Sequence, residues 1–144
     1  MITDKLLRVS EAQALTTTAV STDTIDLSIA RDVGEGQDLF MNFAVTTALA
    51  GGTSVKFEVI AATNAALSSG VVVIGSSDAV LTAALVAGYN TAVRLNPQIA
   101  SNGQRYIGAR YTISGTYTSG AVTADVVMDI QDGRKFYASG FTVV

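Results

Sequence analysis

The stretch RYIGARYTISGTYTSGAVTADVVMDIQDG, residues 105–133, decides the fold. In its first half Ile107, Ala109, Tyr111 and Ile113 alternate with Tyr106, Gly108, Arg110 and Thr112. In its second half Val122, Ala124, Val126, Met128 and Ile130 take one face, and Thr123, Asp125, Asp129 and Gln131 the other. A period of two is the signature of a half-buried strand, because successive side chains point to opposite faces of a sheet. With Ser119–Gly120 read as the turn, the stretch is expected to form a long hairpin with one wet face.

The same period recurs upstream. SVKFEVI, 54–60, puts Val55, Phe57 and Val59 on one face and Ser54, Lys56 and Glu58 on the other. DLFMNFAVT, 38–46, aligns Leu39, Met41, Phe43 and Val45, and a second hairpin is expected to turn near Gly51–Gly52. DTIDL supplies Ile25 and Leu27, and TAVRLNP supplies Val93 and Leu95 before Pro97. GVVVIG, 70–75, is a continuous apolar run, as for a strand covered on both faces. SSDAVLTAALVAG, 76–88, stays open between a two-turn helix, capped by Ser77 or Asp78 and Gly88, and a strand or irregular connection. Seven or eight strands with a turn signal about every ten residues predict an all-β sandwich or barrel.

Composition agrees and narrows the function classes. The 144 residues fit one domain, and 49% hydrophobic against 15% charged residues rules out a disordered chain. There is no Cys and no His, so disulfides, thiolate metal sites and a Ser–His–Asp or Cys–His nucleophile are excluded. Lys5, Lys56 and Lys135 stand in no Ser-x-x-Lys spacing. GEGQDLF, 34–40, leads into a strand and is no phosphate loop. Asp125 and Asp129 lie about 13 Å apart along a strand, too far for a carboxylate pair, and read as solvated. Asp32, Glu35 and Asp38 lack calcium-loop spacing and read as loop charges. Arg105–Tyr106 and Arg110–Tyr111 resemble a single-strand stacking platform, but a net charge of −3 argues against nucleic acid. With no signal-peptide pattern and no apolar run of bilayer length, the expectation is a soluble, non-membrane protein without cofactor or metal.

Two longer segments bring a family into view. SEAQALTTTAVSTDTIDLSIARDVGEGQDLF, 10–40, and QRYIGARYTISGTYTSGAVTADVVMDIQDGRKFYASGF, 104–141, resemble the capsid cement, or decoration, proteins of short-tailed bacteriophages. The resemblance rests on S-x-AQA-x-T, STD-x-IDL, RYIG-x-RYT, SG-x-VTA, DIQ and YASGF; residues 60–100 add little. It implies an all-β jelly-roll sandwich of about eight antiparallel strands and a non-enzymatic role. In that role oligomers sit on the outside of the virion and bridge neighbouring major capsid subunits, after synthesis in the bacterial host's cytoplasm. Self-association is expected, as a dimer rather than a trimer.

Contact residues follow from the ends of the chain. Residues 1–20 are expected as an N-terminal arm and 134–144 as an interface tail of the single domain 1–144. Arg8 and Arg134 are candidate anchors to acidic shell residues, and Phe136, Tyr137 and Phe141 form an aromatic patch. Residues 10–24 either lie across a neighbour or cover an edge of their own sheet. The tail either contacts a partner or adds a last strand. The rival function is a receptor- or carbohydrate-binding jelly roll of a phage fibre, since fold alone does not separate the two.

Overall fold

The alternating runs become strands, and in the computed structural model they form two packed antiparallel sheets. The structure describes residues 4–33, 36–100 and 103–128. Nine strands follow in chain order: β1 Arg8–Ala14, β2 Ala19–Val20, β3 Ile25–Asp26, β4 Phe40–Ala50, β5 Ser54–Ala62, β6 Val72–Leu81, β7 Asn90–Arg94, β8 Tyr106–Ser114 and β9 Ser119–Val127. The only helical turns among the described residues are two three-residue 3-10 turns, Lys5–Leu7 and Thr82–Ala84.

One sheet runs β1-β9-β4-β7; the other runs β2-β8-β5-β6, with β3 also paired to β8. The pairs β1·β9, β2·β8, β4·β7 and β5·β6 are nested. Arg8 faces Asp125, Ala19 faces Tyr111, Phe40 faces Arg94 and Ser54 faces Leu81, so each pair of numbers adds to nearly the same total. The chain is thus one long antiparallel ribbon folded back at residues 63–71. Rolling the ribbon adds β4·β9 and β5·β8 and closes two sheets, which is the jelly-roll topology. The expected fold is therefore present, with the second edge strand broken into β2 and β3.

Both expected hairpins are corrected. β4 and β5 lie in different sheets, and so do β8 and β9. Residues 51–53 and 115–118 are corners where the chain changes sheets. Tyr117 explains why glycine is needed at the first corner. Its ring is buried at that end of the sandwich, and a Cβ on Gly52 would lie 2.5 Å from it. The Tyr117 hydroxyl is 2.7 Å from Thr82 Oγ1, which donates to the Gly52 carbonyl.

The core forms where the inward faces meet. Met41, Phe43 and Val45 face Val55, Phe57, Val59, Ile107, Ala109 and Tyr111, all buried, with Val122, Ala124 and Val126 completing the layer. The Phe43 and Phe57 ring centroids are 5.0 Å apart, and Tyr111 meets both edge-on at 6.0 and 6.1 Å. Leu39 and Ile113 are only partly buried, at strand ends. Met128 is corrected outright: it is 62% exposed, because β9 ends at Val127 and the alternation ends with it. Ile130 lies outside the described residues.

Three further expectations change. GVVVIG is not covered on both faces: β6 is an edge strand, and Val72 and Val73 are exposed while Ile74 is buried. Where β6 passes β7, a Cβ on Gly75 would lie 2.3 Å from the Arg94 carbonyl oxygen. The undecided segment 76–88 is strand to Leu81 and then a 3-10 turn. Ser77 caps no helix; its Oγ accepts from Phe57 N–H at a bulge in the β5·β6 ladder. Residues 8–26 lie on their own sheets rather than standing clear of them. β1 pairs β9 with two register breaks and Ala12 at φ 43°, and β2 and β3 pair β8. Between β1 and β2 the seam is held by side chains. Tyr111 Oη donates to Ser10 Oγ, Ser10 Oγ to Gln13 Oε1, and Gln13 Nε2 to the Val20 carbonyl.

Candidate binding surface

The outward faces were expected to be wet, yet the centre of each carries a buried carboxylate. On the second sheet Glu58 is 4% exposed. Arg110 stands opposite it on β8 and donates at 2.7 Å; Thr112 Oγ1 donates at 2.8 Å, and Lys56 Nζ lies at 3.1 Å. Burial pushes the Glu58 carboxyl up, but the hydrogen bonds from Arg110, Thr112 and Lys56 outweigh it and hold the pKa at about 2. Such a group stays ionised and structural; it is no general acid. On the first sheet Asp125 is 4% exposed and accepts from Arg8 Nε at 2.8 Å. The solvated reading of Asp125 is therefore corrected: strand register brings a guanidinium directly opposite.

The other candidate groups pair off too. Asp32 accepts the Ala100 N–H, and Asp38 pairs with Arg94 at 2.6 Å, so both act as loop charges. Arg105 lies over the Tyr106 ring at 5.2 Å and is held by both Asp26 oxygens, while Tyr111 is buried, so neither Arg–Tyr pair makes an open stacking platform. Burial raises the Tyr111 phenol, keeping it neutral. No group of three or more metal-ligating side chains occurs among the described residues. A cleft of about 280 Å³ beside Val33, Leu39 and Pro97 is spanned by the Asp38–Arg94 pair and is smaller than the usual small-molecule site.

Of the candidate contact residues, Arg8 is described: it lies on β1 with its charge engaged by Asp125 and Glu11. Arg134, Phe136, Tyr137 and Phe141 lie outside the described residues. The structure adds apolar groups that the sequence reading did not single out. Leu6 and Leu7 stand exposed beside the end of β9, and Leu81 and Val86 at the opposite end are 64% and 56% exposed. Around Leu81 and Val86 the links 15–18, 51–53, 82–89 and 115–118 are tied together. Tyr117 N–H donates to the Thr16 carbonyl, Thr118 N–H to Ala50 and Thr82 N–H to Thr53. Asn42, between Asp125 and Ala92, has a buried Oδ1 with no partner among the described residues.

Arg8, Lys56, Arg94, Arg105 and Arg110 are engaged by carboxylates of the fold itself, whereas Lys5, Asp23, Arg31 and Asp78 stand exposed. No curated protein matches the chain. Residues 9–126, which run from within β1 to within β9, match the family described as Bbp16, and the chain belongs to that family.

Proposed function

We propose that this protein is a structural cement of a bacteriophage capsid. It sits on the outer surface, bridges neighbouring major capsid subunits and associates with itself, as a dimer rather than a trimer. The observation that carries the reading is the resemblance of residues 10–40 and 104–141 to capsid cement proteins. The jelly-roll sandwich and the internally paired charges support it. The mechanism is linkage: a protein that binds the assembled lattice and not free subunits stabilises the lattice by mass action. Each bridge needs only an ordinary interface of about 1,600 Å², because many copies act together.

The test compares particles made with and without this protein on heating or after loss of internal DNA pressure. Higher survival with the protein, in hundreds of copies on the outer shell, supports the role. Equal survival, or a few copies on a tail or fibre, refutes it and favours the receptor- or carbohydrate-binding alternative.

A further inference from the structure

Residues 8–26 are fastened unlike the rest of the sandwich. They cross from one sheet to the other, with β1 on β9 and β2 and β3 on β8, and so close one side of the roll. Only four of them are buried, Val9, Ser10, Leu15 and Ser21, and two of those are serines, whereas β5 alone buries seven of its nine. Their ladders are short. β1 meets β9 at four positions with two register breaks, and β2 and β3 meet β8 at two positions each, while β5 meets β8 at nine without a break.

Side chains take the place of the missing rungs. On β8 the Ala109 N–H donates to Ser21 Oγ at 3.0 Å and the Ile113 N–H to Thr18 Oγ1 at 2.9 Å. The Ala12 N–H donates to Thr123 Oγ1 on β9. The segment is also knit to itself. Gln13 Oε1 accepts from Ser10 Oγ and from the Thr22 N–H, Gln13 Nε2 donates to the Val20 carbonyl, and the Asp23 N–H donates to the Val9 carbonyl. We propose that residues 8–26 form a clasp that opens as one unit while the other six strands stay folded. Gln13 ties its two halves, so they leave together. The strands left behind, β9-β4-β7 and β8-β5-β6, keep every ladder among themselves and the Phe43–Phe57–Tyr111 cluster. Release withdraws two large apolar side chains, Val9 and Leu15, and not the whole core. It bares the edges of β8 and β9 together, with the N–H groups of Ala109 and Ile113 turned outward as an extended chain would meet them. The inference takes nothing from the proposed function.

The experiment is native-state hydrogen exchange of the full chain, read residue by residue by NMR. β8 carries its own control, because alternate residues of an antiparallel strand turn their N–H groups to opposite neighbours. Ala109 and Ile113 face the clasp, and Arg110 and Thr112 face β5. Ala109, Ile113 and Ser21 are expected to be at least about ten-fold less protected than Arg110 and Thr112. Val93→Ala, in β7 at the far edge of the first sheet, weakens the closed and the open form alike. It should speed Arg110 and Thr112 about ten-fold or more and leave Ala109, Ile113 and Ser21 unchanged. Gln13→Ala weakens the closed form alone and should speed both sets by one factor. Equal protection of the two sets in the wild type, which needs no variant, overturns the inference. So does acceleration of both sets by one factor in Val93→Ala, since the segment would then open only with the whole fold. A ten-fold or larger gap between Leu15 and Ser21 also overturns it, because the segment would then fray in two pieces.

Discussion

Replacing Phe57 by Ala should cost about 3–5 kcal/mol, because the ring is fully buried and the cavity it leaves cannot collapse. Phe57 sits on β5, and its closest ring partner, Phe43, belongs to the other sheet, 5.0 Å away between centroids. Tyr111, edge-on at 6.1 Å, is pinned in turn by its hydroxyl on Ser10. Relaxation would require one sheet to move toward the other, against ladders on every side. The variant loses the transfer energy of the ring, two aromatic contacts worth about 0.5–1.5 kcal/mol each beyond burial, and the packing around the void. At about 2–4 °C per kcal/mol for a chain of this size, the melting temperature should fall by roughly 6–20 °C. The assay is thermal unfolding followed by circular dichroism at fixed protein concentration, since the proposed self-association would make the midpoint concentration-dependent. Ile29→Ala, on an exposed loop, serves as the control in the same assay. A fall below about 2 °C for Phe57→Ala would mean that this face of β5 is not inward, and the register of both sheets would be wrong.

Three other perturbations test separate parts of the structure. The Glu58 carboxyl is depressed from 4.5 to about 2, so its contribution is fully present above pH 4.5 and is lost as pH falls through 4.5 toward 2. Acid titration of stability should therefore show a loss of no more than about 3 kcal/mol in that window, and Glu58→Gln should flatten it. Gly108→Ala would put a Cβ 2.3 Å from Leu67 Cδ1 and 2.8 Å from Ser21 Oγ, costing about 1–3 kcal/mol in denaturant melts. Adding Leu67→Ala should return part of that cost, and purely additive losses would place the strain elsewhere. Asn42→Val replaces a buried acceptor that has no partner with a good strand former, so stability should stay level or rise by about 1 kcal/mol. A loss above about 1 kcal/mol would show that Oδ1 is satisfied after all.

Reading by alternation worked wherever one face is core and the strand is long. Met41, Phe43, Val55, Phe57, Val59, Ile107, Tyr111, Val122 and Val126 are buried as their period required. What alternation could not reveal is which strands share a sheet. Gly51–Gly52 and Ser119–Gly120 look alike as hairpin turns or sheet-changing corners, since both need tight backbone. The decision rests on Tyr117, whose distant side chain occupies the corner. Glu58 and Asp125 were misjudged for a related reason. A carboxylate on an outward face is solvated unless register sets an arginine against it, and Arg110 and Arg8 are 52 and 117 residues away in sequence. The tip at 63–71 escaped altogether. There Asn64 Oδ1 accepts from the N–H groups of Ser68 and Ser69, and Leu67 is laid over Gly108 on the outside of the second sheet. No period marks such a loop.

The span shared with the Bbp16 family bears on where to look for contacts. It covers 9–126, nearly the whole rolled ribbon, and leaves out Arg8, Arg134, Phe136, Tyr137 and Phe141. All five contact candidates suggested by the ends of the chain thus fall outside the matched span. If the proposed self-association belongs to the sandwich itself, cutting the chain back toward the matched span should leave it unchanged. The measurement is the dissociation constant of residues 1–128, read beside the full chain by sedimentation equilibrium. β9 is retained whole, so the ladders that hold the sandwich remain. An unchanged constant assigns self-association to the sandwich. A constant weakened about ten-fold or more in a fragment that melts like the full chain assigns it to the aromatic tail instead, because removing the tail leaves every strand of the sandwich in place.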